Sequence, residues 1–149
     1  MTEVLFYQLD HQSLDRVLPS LLEKTLERGW RAVVQAGSQE RAEALDAMLW
    51  TYTDESFLPH GMARDGFPAE QPIFLTADDG NPNDATVRFM VDGADCGDLP
   101  AYTRVIYMFE GRDNDARAQA REQWKRAKAD GLAVTYWQQT ENGRWEKKA

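Results

Sequence analysis

The chain has 149 residues, the length of one ordinary domain with a single core, so a single domain over residues 1–149 is expected. Its 42% hydrophobic content includes no apolar run long enough to span a membrane, and no charged n-region followed by an apolar h-region opens it. A net charge of −8 excludes a surface given over to nucleic acid, and the lone Cys96 excludes an internal disulfide or a thiol metal cluster, which fits a reducing cytoplasm.

Residues 4–9 (VLFYQL) are apolar and β-rich and predict a first strand. Ser13 is placed to cap a helix carrying Leu14, Val17, Leu18, Leu21, Leu22 and Leu26 at helical spacing. Pro19 inside that pattern is expected to kink the helix or to mark its true first turn, and Gly29 ends it. A strand over 31–36 follows, then a helix capped by Ser38 with Ala42, Leu45, Met48 and Leu49 on one face. Further strands are predicted at 73–76, 87–91 and 104–109, separated by turn chemistry over 78–85 (DDGNPNDA). Asp113 can cap a helix that stops near Gly131, a last long strand covers 132–138, and Glu141-Asn142-Gly143 signals a hairpin returning 144–147. Strands alternating with helices predict a three-layer α/β domain built on a mainly parallel sheet.

That fold class invites a nucleotide, but the motifs are missing. The turn after the first strand is Asp10-His11-Gln12-Ser13 rather than G-x-G-x-x-G, and no G-x-x-x-x-G-K-[ST] occurs. His11 and His60 are the only histidines and have no ligand-spaced cysteine, while Asp78-Asp79-Gly80 has the character of a solvated turn. No G-x-S-x-G elbow is present, and the acidic setting of Cys96 should raise its thiol pKa. No catalytic residue, metal site or cofactor is expected.

Charge is unevenly spread. Residues 112–128 carry six basic side chains (Arg112, Arg117, Arg121, Lys125, Arg126, Lys128) against three acidic ones (Asp113, Asp115, Glu122). Spacings of four, four and three stack Arg117, Arg121, Lys125 and Lys128 along one helix face, and Trp124 borders the stripe. On the residues alone this pattern fits a solvated charged face with Trp124 turned into the core somewhat better than a pocket for an acidic peptide with an apolar tip. A second group, Trp50, Phe57, Leu58, Pro59, His60 and Met62, follows a helix end; it either folds back as core or forms an exposed partner surface. In the last stretch, Trp137 and Trp145 beside Lys147 and Lys148 suit a hairpin packed on the sheet or, less well on an acidic protein, stacking on single-stranded bases.

Residues 45–60 (LDAMLWTYTDESFLPH) and 120–132 (AREQWKRAKADGL), in this order, resemble the chi subunit of bacterial DNA polymerase III holoenzyme. The resemblance implies a Rossmann-like core without a phosphate loop and a non-catalytic adaptor. It implies that Arg121, Trp124 and Lys125, with Arg117 and Lys128 alongside, take the acidic, Phe-ending C-terminal tail of single-stranded DNA-binding protein; Trp124 stands where the family can carry Tyr. It also implies that Trp50 and Phe57 dock the psi subunit, or another holoenzyme or helicase partner, so that contact with DNA is mainly indirect. The competing classes are an adaptor for a DNA-repair helicase and a small nucleotide-processing enzyme on the same scaffold.

Overall fold

A computed structural model describes residues 2–51 and 59–149. Seven strands form one sheet: β1 (Glu3–Leu9), β2 (Ala32–Gln35), β3 (Ile73–Thr76), β4 (Val87–Met90), β5 (Arg104–Glu110), β6 (Ala133–Gln139) and β7 (Trp145–Lys147). Their spatial order is β3-β2-β4-β5-β1-β6-β7; all neighbours are parallel except β6 and β7. The α/β class and the mainly parallel sheet are therefore as expected.

β1 is central, with Val4 opposite Val105 on one side and Val134 on the other. Strand alternation divides its side chains between two cores. Leu5 and Leu9 join the apolar faces of α1 (Leu14–Glu27) and α2 (Gln39–Thr51), while Val4 and Phe6 meet α3 (Asn114–Ala129). Helices thus lie on both faces of the sheet.

Local signals set the helix ends. Ser13 stands at the N-cap of α1 without a side-chain cap bond, whereas the Ser38 hydroxyl accepts from Arg41 N at 3.1 Å. Asp113 accepts from the amides of Asp115 and Ala116 at 2.9 and 3.1 Å, satisfying two donors at the start of α3. Gly29 and Gly131, both at φ +78°, carry the left-handed step after α1 and α3. Pro19 does not mark the first turn of α1, which starts at Leu14; it lies buried inside the helix, where it removes one i→i−4 bond.

The far side of β4 was not expected. Arg88 there is fully buried and donates to Gln35 Oε1 (2.6 and 3.2 Å), Asp78 O (2.7 Å), Gly80 O (2.9 Å) and Tyr102 Oη (2.8 Å). Through these bonds it ties the turn at 78–80 and the segment around Tyr102 over β4, on the face of the sheet that α3 shares.

Candidate functional site

Small residues bring α3 close to the sheet. Ala120, Gln123 and Ala127 are its buried positions, and polar side chains fix its rotation on one flank. Gln119 Nε2 donates to Gly93 O at 2.9 Å, Gln123 Nε2 reaches Ala94 O at 3.5 Å, and Arg126 pairs with Asp95. Asp95 also accepts from Tyr107 Oη at 2.7 Å. With that flank tethered, the opposite one, carrying Arg117, Arg121, Trp124 and Lys128, is turned toward β6.

There a pocket of about 280 Å³ opens between α3 and the sheet, lined by Gln8, Arg117, Ala120, Arg121, Trp124, Tyr136 and Ala149. Trp124 is half-buried, with its ring edge-on to Phe6 (5.6 Å) and to Tyr136 (5.8 Å), and Lys128 Nζ sits 5.1 Å from its centroid. It therefore serves the core and the pocket together. Among the described residues, neither Arg117 nor Arg121 forms an ion pair. Burial pushes the Tyr136 phenol above its ordinary pKa; Arg117 opposes this, Asp10 adds to it, and Arg121 again opposes it. Tyr136 stays a neutral hydroxyl at physiological pH, donating to Gln8 Oε1. Gln8 in turn donates to Asp10 (3.0 Å), which also accepts from Gln138 (2.9 Å). Gly111 leaves room for this chain, because a Cβ there would overlap Asp10 Oδ1.

Two members of the expected stripe do not line the pocket: Lys128 sits over the Trp124 ring, and Lys125 points elsewhere. Helical geometry rotates Lys125 about 100° from Trp124, outside the pocket lining, and its Nζ pairs with Glu122 at 3.5 Å.

The second expected group divides. Trp50, in the last turn of α2, is 55% exposed, and its ring lies 4.6 Å from that of His60. His60 and Met62 are buried, not surface residues as the docking expectation had them. His60 Nε2 lies 3.1 Å from Asp46 O, and Asp46 Oδ2 pairs with Arg64 at 3.2 Å. Met62 joins the α1/α2 core because Gly61 bridges to Phe74 and pulls the segment onto β3. Pro59 is half-buried; Phe57 and Leu58 lie outside the described residues.

A crevice of about 330 Å³ lies at the carboxyl ends of β1 and β5, where open α/β sheets commonly bind nucleotides. Here Asp92, Glu110, Asp113 and Asp115 line it, and Arg41, the one cation among the described lining residues, is held by Asp92 at 2.7 Å. Phosphates would face carboxylates, and the start of α3 is already occupied by Asp113. Cys96 is half-buried; burial, more than neighbouring Asp95 and Asp79, pushes its thiol pKa up.

Residues 1–135 match the family described as DNA polymerase III chi subunit, HolC. The chain belongs to that family. It is 28% identical over 110 residues to the probable DNA polymerase III subunit chi of Rickettsia prowazekii, covering 74% of this chain and 67% of the relative. It is 27% identical over 108 residues to the DNA polymerase III subunit chi of Pseudomonas aeruginosa, covering 70% and 75%. Membership makes it an accessory subunit of DNA polymerase III with holoenzyme partners. Among the described residues no helix is long and apolar enough to cross a membrane.

Family resemblance pointed to α3 of this chi-family chain but not to Gln8, Ala120, Tyr136 and Ala149, which complete the pocket. Period-two alternation in β6 was the available signal for Tyr136. Val134 and Tyr136 pack on the α3 face, while Trp137 packs on the other with Tyr7 and Trp145. Phe67 was also missed. It is 73% exposed and left-handed (φ 51°), and its position between Gly66 and Pro68 was the only clue.

Proposed function

We propose that this chi-family subunit links the polymerase III assembly to protein-coated single-stranded DNA by capturing the acidic, Phe-ending C-terminal tail of single-stranded DNA-binding protein between α3 and β6. The observation that carries this is the pair of guanidinium groups, Arg117 and Arg121, without carboxylate partners among the described residues, beside the Trp124 and Tyr136 rings. A terminal carboxylate needs a bidentate donor, and an aromatic tip needs an apolar wall. Both are present within one pocket. A single contact of this kind is weak, and several tails on one oligomeric binding protein would raise its effective concentration.

Trp50 marks the second face, which we assign to a holoenzyme subunit such as psi, the link to the clamp loader. An aromatic this exposed at a helix end is a favoured anchor for a partner. The same surface would suit a DNA-repair helicase, and a pull-down with Trp50→Ala as control tells the two partners apart.

The pocket is tested by calorimetric titration with a synthetic acidic peptide ending in Phe. Arg121→Ala should cost about 1.5–3 kcal/mol of binding, the scale of a hydrogen bond to a charged group. Amidating the peptide's C-terminus should remove most of the difference between wild type and variant. Equal binding of free and amidated peptides, or normal binding by Arg121→Ala, would overturn the assignment.

A further inference from the structure

The stretch matching the chi family stops at residue 135, part-way along β6. The sheet continues beyond it to Gln139, turns through 140–144 and returns as antiparallel β7. Trp137 faces Lys147 and Gln138 faces Glu146. One step further, Lys148 N donates to Tyr136 O at 2.8 Å, and Tyr136 N reaches Ala149 O at 3.4 Å. Lys148 therefore lies directly across from Tyr136, the residue that floors the pocket.

Alternation decides which way these side chains point. Trp145 packs edge-on to Tyr7 on the α1 face, 4.7 Å between centroids. Glu146 and Lys148 consequently share the α3 face with Tyr136, and the Lys148 Nζ to Glu146 Oε1 pair at 3.2 Å agrees with a common side. Ala149 completes the lining next to Gln8 and Tyr136. Arg117 and Arg121 stand on the helix wall with Tyr136 and Trp124 between, Ala149 lies on the strand side, and Lys148 sits just outside the lining, beside Ala149 and across from Tyr136.

We propose that Glu146, Lys148 and Ala149, the members of this returning segment on the α3 face, form the outer rim of the pocket and that Lys148 is a specificity-determining residue, reading acidic side chains that precede the terminal aromatic of a bound peptide. The proposal rests on the tail-pocket reading given above. A site with cations on one wall alone selects for a carboxylate at the peptide's end. Cations on one wall and on the facing rim select for a ligand that is acidic along its length. In the absence of ligand, Lys148 is held by Glu146, and both side chains are about half exposed. Exchanging one exposed carboxylate partner for another costs little, so Lys148 contributes selection among peptides more than overall affinity.

The test is fluorescence anisotropy on the full chain with two labelled synthetic peptides, each ending in Phe with a free carboxylate. One carries several aspartates upstream, and the other carries serines in their place. Lys148→Glu should weaken binding of the aspartate peptide roughly fivefold at low salt, and much less at high salt, while the serine peptide changes by less than about twofold. Arg121→Ala should weaken both peptides. If Lys148→Glu affects both peptides equally or neither, while Arg121→Ala still weakens both, the rim is wrong and the pocket stands. If wild type binds neither peptide, the pocket and its rim fall together. Lys148 is exposed, and unchanged thermal melting of the variant verifies that charge alone has been altered.

Discussion

Arg88 shows how a single side chain can defeat a pattern. In VRFMV the alternation is readable, yet a charged residue between Val87 and Phe89 looks like a solvent-facing position. It is buried because loops, not solvent, cover that side of β4, and no period in the sequence announces that a loop will fold over a strand. The cost of burying the guanidinium is met by five hydrogen bonds, all to neutral acceptors. Arg88→Met keeps the length and removes the donors, leaving the carbonyls of Asp78 and Gly80 and the Gln35 amide oxygen short of a partner. It should lower unfolding free energy by about 3 kcal/mol in urea denaturation. Peptide binding by the folded fraction should be unchanged, since no residue held by Arg88 lines the α3–β6 pocket; wild-type stability would show that the network contributes nothing. The candidate site was legible to the same partial degree. Arg117, Arg121 and Trp124 line the pocket together because spacings of four and three hold one helix face, whereas Lys125, grouped with them by its spacing of four from Arg121, falls about 100° from Trp124 and pairs with Glu122.

Elements with caps and a period were readable to within a residue or two: α2 begins after Ser38, α3 after Asp113, and the Asn142-Gly143 turn does return an antiparallel strand. The segment 59–72 was not. It contains two short 3₁₀ turns, at Ala63–Asp65 and Pro68–Glu70, which have no hydrophobic period to recognise. Its side chains are consequently split between core and surface by tertiary contacts alone. Gly61 docks on β3 through Gly61 N to Ile73 O and Leu75 N to Gly61 O, both 3.0 Å, and Met62 is carried inward with it. That division gives a paired expectation. Met62→Ala should cost about 2–4 kcal/mol of stability, as large-to-small changes in a packed core do. Trp50→Ala should change stability far less, yet weaken association with the holoenzyme subunit by about 1–3 kcal/mol. Chemical denaturation and a binding titration on both variants measure this; a large stability loss at Trp50 with no binding defect would return that ring to a structural role.

At the scale of the molecule, a chain of net charge −8 keeps its acidic crevice at the carboxyl ends of the strands, where the start of α3 meets α1 and α2, and its cationic pocket further along α3, against β6. Phenols are distributed through both cores: Tyr7 on the α1 face, Tyr107 and Tyr136 on the α3 face, with Tyr102 against Arg88. All four have pKa values raised from the ordinary 10.0, and in each the largest cause is burial. Tyr107 is shifted furthest, since its hydroxyl also donates to the Asp95 carboxylate, which resists a second negative charge. In the unfolded chain these groups lose their protons near pH 10, whereas in the folded chain they retain them to higher pH. The folded state thus binds more protons above that point, and stability contributed by the neutral phenols, complete below about pH 10, is lost as the pH rises further. Urea midpoints should fall steeply above about pH 10, and tyrosinate absorbance should appear together with unfolding rather than before it. Tyr107→Phe should flatten the alkaline slope while lowering stability at neutral pH through loss of the Asp95 bond. Tyrosinate formation near the ordinary value in a chain that remains folded would show that burial does not hold these hydroxyls neutral.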